Sequence, residues 1–256
     1  VKKLFFLLLI SFGASADDAD LRPPFITTPG SVVERMLELA GTQPADVVMD
    51  LGSGDGRIVI AAARRFGARG IGIELDRSLV EASRRNAERA KVADRVSFVQ
   101  GDVLSADLSP ASVVTLYLLP GLIGKLQPRF IYELRPGTRI VAHAFGMAGW
   151  KPDRTETLRI AEPHPGQGPE SRLYLWVVPA EVRGVWRGGG HELRIAQNYQ
   201  QIEVEGAQEA RLSGREISWR LREERFSGRV EGDRMTGELV APDGGRRALA
   251  LVRQRP

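Results

Sequence analysis

Three carboxylates recur at matching places along the first hundred residues. Asp50 lies near the end of an apolar run from Asp46 to Leu51, Glu74 near the end of "RGIGIEL" (Arg69–Leu75), and Asp102 just past Val96–Gln100. The first is followed by a glycine-rich turn, "DLGSGDGR", running from Asp50 to Arg57. Such turns let a ligand come close to the backbone, and which ligand depends on the charges beside it. A dinucleotide needs G-x-G-x-x-G, with its pyrophosphate at the next helix N-terminus. Counting from Gly52, Gly54 fits, but the third position is Arg57, and Asp55 puts a carboxylate where a pyrophosphate would be repelled. The acids suit a ligand that is cationic and lacks phosphates. S-adenosylmethionine is one: it carries a sulfonium, an ammonium and a single carboxylate. Asp50 would meet the ammonium. Glu74, roughly 20 residues on, would accept both ribose hydroxyls. Asp102 would accept the adenine amino group. Alone, each has a plainer reading: a tight turn, a solvated strand end, a helix cap. In this order they would line one crevice at the carboxyl edge of an open sheet, where such sheets bind ligands.

The elements that must position these groups follow from hydrophobic periodicity. "TPGSVVERMLELAG" reads as a helix with Ser31 as cap and Gly41 as stop. Then come strand 46–51, helix 57–66, strand 69–75, helix 77–91 and strands 96–100 and 112–118. A helix over 121–134, kinked or broken at Pro128, leads to strand 138–144 and to two more strands, 157–161 and 172–178. Alternating strands and helices predict a parallel α/β sheet covered on both faces. The last two strands lack a helix between them and are expected to form an antiparallel pair at one end. From Pro179 onward short β-type runs separated by Gly-rich or charged turns predict a small all-β meander or barrel. Trp186 and Trp219 are its expected core anchors. "GVW" at Gly184–Trp186 resembles the opening motif of lipocalin-type barrels. The expected division is therefore a leader (1–16), an α/β unit (17–179) and a β unit (180–256).

Composition narrows the function. The chain has no Cys, which excludes disulfides, thiolate metal sites and Cys nucleophiles. His143, His164 and His191 lack metal-ligand spacing, so no metal is expected. The net charge of +4 arises from 36 basic and 32 acidic residues without a Lys/Arg block, so no nucleic-acid partner is expected. "VKKLFFLLLISFGASA" has a charged start, a short apolar stretch and small residues, the layout of a signal peptide cleaved after Ala16. That predicts export, into the periplasm.

The order of elements and "DLGSGDGR" resemble a class I S-adenosylmethionine-dependent methyltransferase over Pro24–Pro179. "PFITTP", "DLGSGDGRIVIAAA", "LYLLPG" and "RPGTRIVAHAFGMAGWKPD" are most similar to the branch of the ATP-synthase c-subunit lysine methyltransferases and their bacterial homologues. The resemblance implies a Rossmann-like seven-stranded sheet with a final antiparallel hairpin, to which the small C-terminal all-β unit is an addition. It implies cofactor contacts at Asp50, Gly52, Ser53, Gly54, Asp55, Gly56, Glu74 and Asp102, with Leu75 and Val103 beside them. Thr27–Pro29, hence Thr28 and Pro29, would close over the cofactor. Tyr117, opening "YLLP", would touch the transferred methyl and its acceptor. His143 would be either a proton acceptor or a satisfied structural histidine. Trp150 would either shield the site or pack. The short link Phe145–Arg154 replaces the usual helix, which would leave that side open. The expected function is methyl transfer to a protein side chain, a lysine by resemblance, or to a small molecule. The alternative is an exported, non-catalytic binding module on the same scaffold, its β unit contacting an envelope component.

Overall fold

The computed structural model describes residues 26–161 and 168–254. The leader and His164 lie outside them.

The first sheet is built from β1 (Val47–Leu51), β2 (Arg69–Glu74), β3 (Val96–Gln100), β4 (Val113–Leu116), β5 (Arg139–His143), β6 (Arg154–Arg159) and β7 (Glu170–Val177). Its order is β3-β2-β1-β4-β5-β7-β6. Only β7 runs against its neighbours, so the final pair is antiparallel as expected. The strands carry α1 (Gly30–Leu39), α2 (Arg57–Phe66), α3 (Arg77–Arg89) and α4 (Pro120–Glu133) between and before them. One apolar core packs α1, α2 and α3 on Val48, Val113, Val141 and Leu173. The other packs α4 on Met49, Leu116, Ile140 and Trp176. Side chains alternate along a strand. Asp50, Thr115, His143 and Ser171 therefore project from the face that α1 and α2 cover.

Three local expectations are corrected. Ser31 does not cap α1: Pro29 holds that position, and its carbonyl takes the N–H groups of Val32 and Val33 at 3.0 and 2.9 Å. The extended backbone at Pro29 starts the helix before Ser31 could. Nor does α4 break at Pro128. Pro128 and Gly124, the residue whose carbonyl loses its N–H partner, are both exposed, so that carbonyl can turn to water. The sixth strand also begins at Arg154 rather than Thr157.

The second sheet holds β8 (Gly184–Gly188), β9 (His191–Asn198), β10 (Gln201–Val204), β11 (Ala207–Ser213), β12 (Glu216–Leu221), β13 (Glu224–Glu231), β14 (Arg234–Val240) and β15 (Arg246–Gln254). Every ladder is antiparallel between chain neighbours, and β15 pairs with β8. The result is an up-and-down barrel with one seam, between β10 and β11. Its interior is filled by Trp186, Trp219, Phe226, Met235 and aliphatic side chains. Trp186 donates to the Val182 carbonyl at 2.7 Å, and the Arg253 guanidinium from the last strand sits 5.6 Å from its ring centre.

The side expected to be open is not. The link after β5 brings Trp150 onto Trp176, and the β9–β10 turn covers both. The Tyr199 ring stacks on Trp150 with centroids 4.9 Å apart and planes 6° apart. Gln127 of α4 donates to the Tyr199 hydroxyl at 3.0 Å, and Trp150 Nε1 donates to Gln200 at 2.7 Å. A hairpin of the barrel thus covers the link between β5 and β6.

Candidate active site

The site lies at the carboxyl ends of β1 to β5. Gly52 and Gly56 turn the chain out of β1 with φ of 81° and 80°, a region that costs other residues strain. A Cβ at Gly52 would lie 2.8 Å from Leu118, and one at Gly56 2.6 Å from the Phe98 ring. The turn is thus pressed against the segment after β4 and against β3, and has no room for side chains there.

Asp50 is 3% exposed, and the Thr115 hydroxyl donates to it at 2.7 Å. Burial raises its carboxyl to about 7, the nearby charges of Glu74 and Asp55 adding to the effect and the Thr115 bond opposing it. A cation placed here would return Asp50 to its ionised form. Glu74 is braced on the turn: it accepts from Gly54 N–H at 2.8 Å and from Asp76 N–H at 3.0 Å. Asp102 is exposed and accepts from Leu104 N–H at 2.9 Å, while Val103 is buried and Leu75 is 58% exposed. The Ser53 hydroxyl is buried with no hydrogen-bond partner among the described residues.

Asp55 departs from the expected picture. Its carboxylate is held by Arg57, Nε at 2.9 Å and Nη2 at 2.6 Å, and Asn86 holds its carbonyl at 2.8 Å. The Asp55 carboxylate is thus ion-paired within the turn, whereas Asp50 has no ion-pair partner among the described residues. Arg57 also donates to the Thr28 carbonyl at 2.9 Å, fastening the segment before α1 to the turn.

On the far side of the crevice, Tyr117 lies against His143 with ring centroids 4.2 Å apart. His143 is fully buried, with Nδ1 3.3 Å from the Thr28 hydroxyl and Nε2 2.7 Å from that of Ser171. Burial lowers its pKa to about 4, so it is neutral at physiological pH. Burial also raises the Tyr117 phenol, so this wall carries no charge. Ala144, next in the chain, has φ of 66°, and its N–H reaches the Arg172 carbonyl at 2.8 Å. A non-glycine residue held there costs on the order of 1 kcal/mol or more, which the surrounding structure must over-determine. Trp150 is bound into the barrel junction, stacked on Tyr199 and donating to Gln200.

Three contributors escaped sequence reading. Thr115 signals itself only as a polar residue inside "VVTLY", in line with Asp50 across the β1–β4 pairing. Arg57 stood out as a missing glycine rather than as the partner of Asp55. Ser171 reaches His143 through the β5–β7 pairing, which no local pattern announces.

The chain matches the model of the ANTKMT methyltransferase domain over residues 50–154. It is 38% identical to a protein-lysine N-methyltransferase of Saccharolobus islandicus over 60% of this chain and 93% of that one. It is 35% identical to the ATP synthase c-subunit lysine N-methyltransferase of Mus musculus, over 52% of this chain and 53% of that one. Among solved structures, an RNA methyltransferase from Salinibacter ruber in complex with S-adenosyl-L-homocysteine is 52% identical, with a TM-score of 0.57, covering 61% of this chain and 96% of that one. With an acid-lined glycine turn on a seven-stranded sheet of this order, the chain belongs to the class I S-adenosylmethionine-dependent methyltransferases, and S-adenosylmethionine is its cofactor.

Proposed function

We propose that the chain methylates a lysine side chain of a protein. The observation that carries this reading is the uncharged, half-buried Tyr117 ring, backed by the buried neutral His143. An amine attacks only through a free lone pair, and a buried neutral surface favours its deprotonated form. Two relatives are lysine methyltransferases, which supports the same acceptor. S-adenosylmethionine, when bound, supplies a methyl group activated by its sulfonium. The chain aligns and dries the reaction. Asp50 holds the ammonium, Glu74 the ribose hydroxyls and Asp102 the adenine amino group. Gly52, Ser53, Gly54, Asp55 and Gly56 form the floor with their backbone, and Leu75 and Val103 flank the adenine. Thr28 and Pro29 close the crevice from above. Tyr117 forms the wall that the acceptor amine meets.

A second acceptor, RNA, is favoured by the 52% identical solved structure, which is that of an RNA methyltransferase. Incubating the protein with tritiated S-adenosylmethionine and an extract of its source separates the two. Label should be protease-sensitive and recovered as methyllysine. Label removed by ribonuclease would replace the lysine reading with RNA, and label in neither fraction would point to a small molecule.

The same reading includes export. The charged start, short apolar stretch and small residues of 1–16 support a leader that carries the enzyme to the periplasm, its barrel facing an envelope component. Residues 1–20 fused to a reporter active only outside the cytosol should give signal; a silent fusion would place the enzyme in the cytosol.

A further inference from the structure

The segment before α1 is fastened at two points, one beside the glycine turn and one at the end of β5. Arg57, beside the glycine turn, holds the Thr28 carbonyl, and His143, at the end of β5, meets the Thr28 hydroxyl. His143 is itself fixed from below by Ser171 of β7 and flanked by Tyr117. The chain on either side of it is held as well: β5 pairs with β4 and β7, and the left-handed Ala144 is pinned to Arg172.

We propose that His143 is a positioning residue that ties the Thr27–Pro29 strap to the acceptor wall, and that it takes no proton from the acceptor. The proposal rests on the reading of that strap as the cover of the cofactor. Both ring nitrogens already face hydroxyls, those of Thr28 and Ser171, so each is engaged within the fold. A general base must reach the proton it removes. His143 has no exposed surface. Its contacts instead span three elements: the strap, the segment after β4 and strand β7. Loss of the histidine should therefore loosen the strap and release Tyr117 together, and the first sign should be weaker cofactor holding rather than a lost chemical step.

The test uses the full chain and S-adenosylhomocysteine as probe, so that no acceptor is needed. Thr28→Val, His143→Gln and the double variant are compared with wild type by calorimetry and by hydrogen exchange over residues 26–29. Each single variant should weaken binding roughly tenfold, the scale of one net hydrogen bond. The double variant should be no worse than the weaker-binding single, because both cut one tie. Exchange at the strap should quicken in all three. His143→Asn, which keeps a polar atom near Nδ1, should recover part of the loss. Folded variants with wild-type affinity and exchange would overturn the tie, as would additive losses. A His143→Gln protein that binds the probe normally yet no longer labels the acceptor fraction would make His143 a base and overturn the proposal. Should His143→Gln fail to fold, Thr28→Val decides alone, since among the described residues the Thr28 hydroxyl meets His143 alone. Failure of wild type to bind the probe would instead refute the strap's placement over a cofactor. Binding by wild type with unchanged variants would refute the tie alone.

Discussion

Asp50→Asn will cost the protein its cofactor and make the ligand-free fold more stable. The Asp50 carboxyl titrates near 7 in the fold against an ordinary 3.8, chiefly because it is buried. Between those values the folded chain keeps a proton that the unfolded chain has lost. Stability therefore falls as pH rises through that window and is lowest, as far as this group goes, above about 7. The gap corresponds to something on the order of 4 kcal/mol at most. Asparagine keeps the oxygen that Thr115 donates to and removes the charge. The melting temperature of the ligand-free variant should exceed that of wild type by several degrees at pH 8, and the difference should shrink toward pH 4. S-adenosylmethionine binding should fall at least a hundredfold, since the ammonium loses its counter-charge. In wild type, binding should weaken as pH drops from 7.5 to 5.5, approaching tenfold per pH unit below about 7, because protonating Asp50 competes with the cation. Scanning calorimetry and titration calorimetry across that range check both halves. A variant no more stable than wild type at pH 8, or pH-independent binding by wild type, would show that Asp50 is not the buried anion of this site.

Much of this arrangement was legible because it is local. The period of apolar residues gave helix 57–66 and strand 96–100 with the bounds the structure shows, α2 and β3. The acids at successive strand ends follow from the same count, since parallel strands joined by helices bring their carboxyl ends to one edge. What stayed hidden depends on partners distant in the chain or on side-chain direction. Asp55 read as a free acid because charge in sequence carries no geometry. Folded, it is claimed by Arg57 two residues on, a side chain that could as well have pointed to solvent. Thr28 and His143 are 115 residues apart and meet only because β5 sits in mid-sheet and α1 lies across its face. Ser31 failed as a cap for a simpler reason: Pro29 had already supplied the extended residue that a helix start requires.

The barrel illustrates the other limit, and Trp150→Ala should expose it. The sequence separates the β unit from the sheet, and its short link at 145–154 suggests an opening. In the structure Trp150 is 1% exposed. Its ring lies on Tyr199, its Nε1 donates to Gln200, and its carbonyl accepts from Trp176 at 2.9 Å. Truncation removes a large aromatic from the contact between both units and leaves the Gln200 amide oxygen short of a donor. Cavities of this kind cost about 3–5 kcal/mol. Trp150→Phe keeps the stacking surface and loses the N–H, so it should cost only about 1 kcal/mol. Tyr199→Ala should be nearly as severe as Trp150→Ala, and the double variant much less than the sum, because both remove the same contact. Urea unfolding of the full chain measures all four. A Trp150→Ala loss below about 1 kcal/mol, or additive losses, would mean that the barrel hairpin rests on the sheet without stabilising it. With losses of the expected size, the barrel hairpin is a stabilising part of the methyltransferase sheet: the short link between β5 and β6 is closed because Tyr199 and Gln200 cover it.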